Sequence, residues 1–311
     1  MKTLRQAVRD YLSLRRSLGF KLKTHERYLR EFVSFLQKKK TSRISTQLAL
    51  QFAMQPRHQQ PAEWTARLSV VRGFARYRSG DDSSTEIPPL GLLPYRPRRA
   101  RPYLYSEEEI RQLLKAAQNL PATYSLKPWT YHCLFGLLVV AGMRISEALN
   151  LQTKDIDWPE GVLTIHGTKF GKSRLVPLHA SARTVLSAYA KRRDRFFAGQ
   201  PPVSHFFVSS RGKRLDGGDV RRTFYALSRQ IGLRDASASH GPRLHDFRHR
   251  FAVETLVRWY RKDEEVERRL PILSTYLGHA HVTDTYWYLS STPELLGAAG
   301  KRMEKRWGGV L

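Results

Sequence analysis

The amino-acid sequence predicts a mainly α-helical protein with a small antiparallel β-sheet, in which a linker separates two domains. Three observations lead to this prediction. Apolar residues recur at helical spacing through most of the chain, and two short apolar runs flank a glycine-containing turn between residues 161 and 178. Residues 79–102 contain more proline than a helix tolerates. The length of 311 residues fits two domains of roughly 150 residues each.

The chain is strongly basic. It has 54 Lys and Arg against 27 Asp and Glu, a formal net charge of +27, and such an excess predicts a polyanionic partner. The single cysteine, Cys133, excludes a disulfide framework and a cysteine-based zinc finger. Because no apolar run reaches the ~18 residues of a membrane helix and the N-terminus lacks a signal-peptide core, we expect a cytoplasmic, nucleoid-associated protein.

Residues 1–80 are predicted to form a basic helical domain, with 18 Lys and Arg but only 4 Asp and Glu. The apolar positions at helical spacing are Leu4, Val8, Tyr11 and Leu12, then Tyr28, Leu29, Phe32 and Leu36, then Trp64, Leu68, Val71 and Ala75. The other faces carry Arg5, Arg9, Arg16, Arg27, Arg30, Arg67, Arg72 and Arg76. Solvated surfaces usually mix both signs of charge, so this pattern favours a bundle that faces phosphates over one whose cations are merely solvated.

Residues 81–102 are predicted to be a linker between the domains. The prolines of this stretch are Pro88, Pro89, Pro94, Pro97 and Pro102. Its later part, residues 96–101, is cationic as well as stiff, as a strap along a nucleic-acid backbone would be.

Residues 103–311 are predicted to form the second domain. Ser106 and Glu109 have the spacing of a capping box, which indicates the start of a helix. Residues 129–141 are almost wholly apolar and predict a buried helix, after which the pattern breaks and a second helix follows. Residues 161–178 predict a β-hairpin or small sheet.

The sequence offers no complete nucleotide-binding loop and no carboxylate cluster for a catalytic cation. Residues 167–173 are one residue short of a phosphate-binding loop and lie between two predicted strands, not between a strand and a helix. Asp155 and Asp157 are the one close acidic pair before the hairpin, and their position favours a role in a turn over metal binding.

Two pairs of histidines have the close spacing of metal ligands. His245 and His249 lie four residues apart, and His279 and His281 lie two apart. No thiolate or nearby acid completes a zinc site around either pair. We therefore expect neither a metal nor another cofactor.

Cations, imidazoles and a tyrosine remain, in separate segments of the second domain. They are Arg144 at the break between helices, Lys169 at the tip of the hairpin, His245 with Arg248 three residues later, His279 after Leu277-Gly278, and Tyr288 nine residues after His279. Taken singly, each such residue is most often structural, and spacing alone does not join them.

The whole pattern closely resembles the tyrosine recombinase, or phage integrase, family. The resemblance is strong from Arg144 to Tyr288, extends more weakly to both ends, and is nearest to transposon-associated integrases. It implies that residues 1–80 form a SAM-like helical domain that binds the core DNA site. It also implies that residues 103–311 form the tyrosine-recombinase catalytic domain, a DNA breaking-rejoining fold.

The resemblance also implies a catalytic set. Its members would be Arg144 as the first arginine, Lys169 as the hairpin lysine, His245 and Arg248 as the His-x-x-Arg pair, His279 as the third-box histidine and Tyr288 as the nucleophile. Counting back from Arg174 as in family members favours Lys169 over Lys172. The usual nine-residue offset from the histidine favours Tyr288 over Tyr286, and on a helix these two tyrosines would point ~200° apart.

The reaction implied is attack of the Tyr288 hydroxyl on a DNA phosphodiester, giving a 3′-phosphotyrosyl bond and a free 5′-hydroxyl without metal or ATP. Arg144 and Arg248 would bind the non-bridging oxygens, since guanidinium forks suit that charge. Lys169 would protonate the leaving oxygen, His245 would accept the phenolic proton, and His279 would donate a hydrogen bond to the phosphate. The implied partner is double-stranded DNA, with a dimer on one site and a homo-tetramer on paired sites.

Several alternatives stay open at the level of sequence. Type IB topoisomerases share the catalytic set, and a catalytically silent DNA-binding protein would keep the fold. Residues 261–269 form a mixed-charge segment that serves either protein contacts or a solvated loop. A tail helix that starts at Thr292-Pro293 either packs on its own domain or docks on a neighbouring protomer, as the resemblance implies.

Overall fold

The computed structural model describes residues 3–55, 60–93, 102–121, 125–167, 173–238, 240–290 and 292–307. The chain divides into two compact units, Met1–Ala100 and Arg101–Leu311, each with a hydrophobic core of its own. The cationic end of the predicted linker, residues 96–101, lies outside the described residues. Among the helices of the described ranges, none has the length and apolar character needed to cross a membrane.

The first unit is helical, as predicted. Its helices are α1 (Leu4–Ser17), α2 (Lys23–Lys38), α3 (Thr46–Met54) and α4 (Pro61–Arg78). The side chains of Thr3 and Ser45 cap the N-termini of α1 and α3. Phe32, Phe52 and Phe74 are buried at the centre, because the apolar stripes of the helices converge there.

The second unit is mainly helical with one small sheet, which confirms the predicted fold class. Its helices are α5 (Glu107–Gln118), α6 (Lys127–Ala141), α7 (Ile145–Asn150), α8 (Ala180–Phe196), α9 (Gly217–Gln230), α10 (Asp246–Arg261), α11 (Val266–Leu277), α12 (Thr283–Tyr286) and α13 (Pro293–Trp307). Its strands are β1 (Ile156–Asp157), β2 (Val162–Ile165) and β3 (Arg174–Pro177), antiparallel in the order β1-β2-β3.

The predicted hairpin is the β2–β3 pair, with Leu163 opposite Val176. The sequence did not predict β1, which is only two residues long. The tip of the hairpin, with Lys169 and Lys172, lies outside the described residues. The hairpin itself is therefore confirmed, and the position of its lysines stays a prediction.

Local signals in the second unit hold as predicted. Ser106 and Glu109 form the capping box of α5, with reciprocal hydrogen bonds of 3.1 and 2.7 Å. The apolar residues 129–141 fall within α6, which is buried in the larger core. Asp155 and Asp157 accept hydrogen bonds from nearby backbone N–H groups and thus serve in turns.

The tail helix α13 packs on α10 of its own chain. Thr292 caps it, and Leu295 is buried beside α10. Charged residues at the turn between α10 and α11 hold the helix from the side: Arg261 pairs with Glu294 at 2.7 Å, and Asp263 pairs with Lys305 at 2.6 Å. The mixed-charge segment therefore makes contacts within the chain. The exposed apolar residues of α13 are Leu296 and Met303.

Candidate active site

Arg144 lies where α6 ends and α7 begins. Gly142 terminates α6 in the left-handed region, with φ of 55°, and a Cβ there would come within 2.6 Å of the Phe251 ring. The turn places Arg144 at the N-cap of α7. Its guanidinium reaches the C-terminus of α11 and donates to the Gly278 carbonyl at 2.8 Å and the Leu277 carbonyl at 3.4 Å. The predicted break between α6 and α7 therefore directs the Arg144 side chain towards the end of α11.

Arg248 comes from the first turn of α10 and is only 1% exposed. It donates to the Gly142 carbonyl at 2.9 Å and to the Leu277 carbonyl that Arg144 also contacts. Burial and the positive charge of Arg144 lower the pKa of Arg248 to about 10, so it stays protonated at neutral pH. The two arginines, far apart in sequence, therefore bring their guanidiniums together at the end of α11.

A buried carboxylate, Glu147, fixes Arg144 from the other side. It accepts hydrogen bonds from the backbone and guanidinium of Arg144 at 2.9 and 2.8 Å, and from Arg174 of β3 at 3.0 and 2.7 Å. Arg174 also donates to the Tyr276 carbonyl at 2.7 Å. Burial by itself would raise the pKa of Glu147, but the hydrogen bonds and charges of Arg174 and Arg144 outweigh it and lower the pKa to about 2.

Sequence reasoning missed this bridge. The spacing from Arg144 to Glu147 is that of neighbours on one helix turn and was a visible signal. The pairing with Arg174 is non-local, because β3 follows α7 only after β1 and β2. The bridge ties the hairpin, α7 and the end of α11 into one rigid frame around the guanidiniums.

Tyr288 lies in a 3₁₀ turn, Trp287–Ser290, directly after α12. It is 1% exposed, whereas Tyr286 is 49% exposed, so the two tyrosines face different surroundings as predicted. A hydrogen bond of 3.0 Å joins the Tyr288 hydroxyl to Nδ1 of His249 on α10. Negative charge on Tyr288 would raise the pKa of Arg248, which places the phenol within electrostatic reach of that guanidinium.

His279 lies against the ring of Tyr288. It follows Gly278, which ends α11 in the left-handed region with φ of 66°. Its ring is nearly parallel to that of Tyr288, at 17° with centroids 6.2 Å apart. A hydrogen bond of 2.7 Å between Nδ1 and the Thr285 hydroxyl holds the imidazole in this orientation.

His245 occupies the N-cap of α10. Its ring meets that of His249 edge to face, with centroids 4.7 Å apart. Desolvation by the surrounding protein, followed by the positive charge of Arg248 and, less strongly, of Arg144, lowers the pKa of His245 to about 4. At neutral pH this imidazole is neutral and able to accept a proton.

The structure thus gathers most of the predicted catalytic set around the end of α11. Arg144, Arg248, His279 and Tyr288 meet there, and His245 touches the set through His249. Lys169 falls outside the described residues. Among the described ranges, no three His, Cys, Asp or Glu side chains lie together as metal ligands do. The arrangement offers forked cations for an oxyanion, a phenol, and imidazoles that can move its proton.

Comparison with known proteins identifies the class of enzyme that this fold and site define. The model of the phage integrase family matches residues 104–294. The protein y4rB of Sinorhizobium fredii, which is named as an integrase/recombinase, is 58% identical to this chain over 310 residues, which cover 99% of each chain. The tyrosine recombinase XerD of Caulobacter vibrioides is 30% identical over 73% of this chain and 70% of its own.

Solved structures share the fold at low identity. The integrase of transposon Tn1549, in complex with transposon right-end DNA, has a TM-score of 0.69 at 15% identity, over 98% of this chain and 99% of its own. A lambda integrase tetramer on a Holliday junction has a TM-score of 0.62 at 18% identity, over 92% of this chain and 77% of its own. The enzyme class is that of site-specific DNA recombinases. The chain belongs to the phage integrase family of tyrosine recombinases.

Proposed function

We propose that this protein cleaves and rejoins double-stranded DNA through a covalent bond between Tyr288 and a 3′-phosphate. The observation that carries the proposal is the convergence of the Arg144 and Arg248 guanidiniums at the Leu277 carbonyl, within electrostatic reach of the Tyr288 phenol. Relatives named as integrases and recombinases favour strand exchange over simple relaxation of supercoils.

The chemistry demands both cations and a proton acceptor. A phenol has a pKa of about 10 and is protonated at neutral pH, so it attacks only if its proton is removed as the new bond forms. Attack of Oη on phosphorus breaks the bond to the 5′ oxygen, which takes a proton from Lys169. The Tyr288 proton passes to an imidazole of the α10 segment, which carries both His245 and His249. Because the ester bond is exchanged and not hydrolysed, rejoining needs no ATP.

The two arginines would stabilise the charge on the non-bridging oxygens. Their bonds to the Gly142, Leu277 and Gly278 carbonyls hold the forks in place before DNA arrives. Each guanidinium has five N–H donors, so these bonds leave donors for a phosphate. Donors fixed in advance are the most effective way to stabilise a developing anion. His279, stacked on Tyr288, would donate to the same phosphate.

DNA would contact both units of the chain. In the first unit, a groove between α1 and α2 is lined by Arg5, Arg9, Arg16 and Arg30. We assign residues 1–80 to binding the core site through backbone phosphates, residues 81–102 to the linker and residues 103–311 to catalysis. The lambda integrase tetramer on a Holliday junction supports a homo-tetramer on paired sites, assembled from a dimer on each site.

A nicked DNA substrate tests this function, because loss of the short fragment beyond the nick traps the covalent intermediate. Wild-type protein should give a protein–DNA adduct on a denaturing gel. The Tyr288→Phe variant should bind the same DNA with unchanged affinity and give no adduct. Tyr286→Phe is the matched control and should keep the adduct, since Tyr286 is 49% exposed. Full adduct formation by Tyr288→Phe would overturn the proposal.

A further inference from the structure

We infer that His249, which the sequence offered only as half of an incomplete zinc pair, receives the proton of the Tyr288 hydroxyl during strand cleavage. The inference rests on the proposed role of Tyr288 as nucleophile. It assigns the transfer to His249, although the resemblance to the family places it on His245.

The contacts of the phenol carry this assignment. The Tyr288 hydroxyl lies 3.0 Å from Nδ1 of His249, and both residues are buried. With the imidazole proton on Nε2, the phenol donates to Nδ1, which is the geometry required of a general base. His249 therefore already touches the reacting atom.

His245 contacts the same imidazole from the other side. The ring centroids of His245 and His249 are 4.7 Å apart, and those of His249 and Tyr288 are 5.6 Å apart. His249 is thus in contact with both rings. His245 is the more exposed of the two histidines and sits at the N-cap of α10, where a substrate oxygen can approach it.

Helix α10 holds the imidazole in register with the phosphate-binding cation. His249 and Arg248 are adjacent residues in its first turn, and Arg248 is anchored on the Gly142 and Leu277 carbonyls. A phosphate bound by Arg248 therefore has a fixed position relative to His249. Tyr288 lies in the 3₁₀ turn after α12, and its hydroxyl already bonds the imidazole that α10 holds next to Arg248.

The step balances without any further reactant. The O–H bond of Tyr288 breaks as Oη bonds to phosphorus, and the proton goes to Nδ1 to give an imidazolium. The bond from phosphorus to the 5′ oxygen breaks, and that oxygen takes a proton from Lys169. In rejoining, the incoming 5′-hydroxyl gives its proton to the now neutral Lys169 as its oxygen bonds to phosphorus. The bond from phosphorus to Tyr288 breaks, and the imidazolium returns its proton to the phenolic oxygen.

Single-turnover cleavage of nicked DNA, with oxygen or sulfur at the 5′ bridging position, tests the inference. A thiol has a pKa of about 8.5, so a sulfur leaving group needs no general acid. Substitution of Lys169 should slow cleavage of the oxygen substrate, and the sulfur substrate should restore the cleavage rate. Loss of His249 should slow both substrates about 100-fold or more, because the phenol must still lose its proton.

The variants are His249→Asn, which keeps an acceptor near the Nδ1 position but takes up no proton, and His249→Gln as a second version in case the first folds poorly. Each is checked by its melting temperature and DNA affinity, which should match the wild type. His245→Asn and Lys169→Ala are run in parallel.

Four results would overturn the inference. One is cleavage by folded His249→Asn and His249→Gln at the wild-type rate. Another is faster cleavage, which would mean that His249 restrains Tyr288 in the resting state. The third is rescue of the His249 defect by sulfur. The fourth is slow cleavage of both the oxygen and the sulfur substrate by His245→Asn alone, with normal His249 variants. The Tyr288→Phe variant tests the proposed function separately. If Tyr288→Phe forms no adduct but the His249 variants cleave normally, the inference about His249 is rejected and the proposed function stands.

Discussion

Exposed arginines of the first unit contrast with buried arginines of the second unit. In the first unit, Arg9 and Arg30 are exposed beside the groove between α1 and α2, and Arg30 also pairs with Glu26. In the second unit, Arg248 is 1% exposed, and the side chain of Arg174 is 8% exposed in a bidentate pair with Glu147. The first arrangement presents cations to the solvent, and the second holds its cations within the fold by several hydrogen bonds.

This difference separates affinity from catalysis. Exposed cations contribute binding that falls with salt, because their field is screened within about 10 Å at 0.1 M salt and because DNA releases counterions when it binds. Buried cations have already lost water and are fixed before the substrate arrives, so their effect is concentrated on the transition state. Substitutions in the two units should therefore change different measured quantities.

The largest effect is expected from the buried guanidinium. Arg248→Ala should slow single-turnover cleavage by about 10²–10³-fold at saturating DNA, because one fixed donor to the developing oxyanion is lost. Arg258→Ala, an exposed arginine of the same helix, is the matched control and should cleave normally. A loss of DNA affinity without a loss of rate in Arg248→Ala would erase the contrast between the units.

The next effect concerns stability and its dependence on pH. The folded-state pKa of Glu147 is about 2, against an ordinary 4.5, so its stabilisation is present above pH 4.5 and is lost as the pH falls towards 2. Glu147→Gln should therefore lower the free energy of unfolding by about 3 kcal/mol at pH 7.

Urea unfolding followed from pH 7 downwards measures this effect. The difference between Glu147→Gln and wild type should shrink as the pH falls from 4.5 towards 2. Glu160→Gln, at an exposed position, should differ from wild type by less than about 0.5 kcal/mol throughout. A Glu147→Gln difference that stays constant with pH would show that the carboxylate charge is not what stabilises the frame.

The smallest effect is expected in the first unit. Arg9→Gln and Arg30→Gln should each weaken DNA binding by a few fold and reduce the slope of log affinity against log salt by about one. Cleavage at saturating DNA should stay at the wild-type rate. Binding titrations at several salt concentrations measure the slope. If either variant cleaves slowly when DNA is saturating, the first unit contributes to the chemical step and the comparison fails.

Much of the fold could be predicted because its signals are local. The capping box at Ser106, the apolar stretch of α6 and the pairing of β2 with β3 each depend on residues close together in sequence, and the structure confirms all three. The two-residue strand β1 was missed, since its only support is pairing with β2.

The candidate site could likewise be predicted only in part from the sequence. Arg144, Arg248, His279 and Tyr288 could be named because their order along the chain resembles that of a family, and the structure brings them together. Their roles stay predictions, as does the position of Lys169. The resemblance named His245 but gave no reason to select His249, although a spacing of four residues on one helix was a usable signal.

The contacts that fix the site could not be predicted from the sequence, for a physical reason. The pairing of Glu147 with Arg174 and the backbone acceptors of Arg248 join segments distant in sequence, and only the packed fold determines which of many arginines is buried. Composition showed an excess of cations, but it did not distinguish a solvated arginine from an anchored one.

The most direct test of the central claim is to digest the covalent complex formed with nicked DNA in excess EDTA and to map the modified peptide by mass spectrometry. The account predicts a single nucleotide-bearing residue, Tyr288, and an adduct yield that does not depend on added Mg²⁺. A modification on Tyr286 or another residue, or an adduct that forms only when divalent cations are supplied, would contradict it.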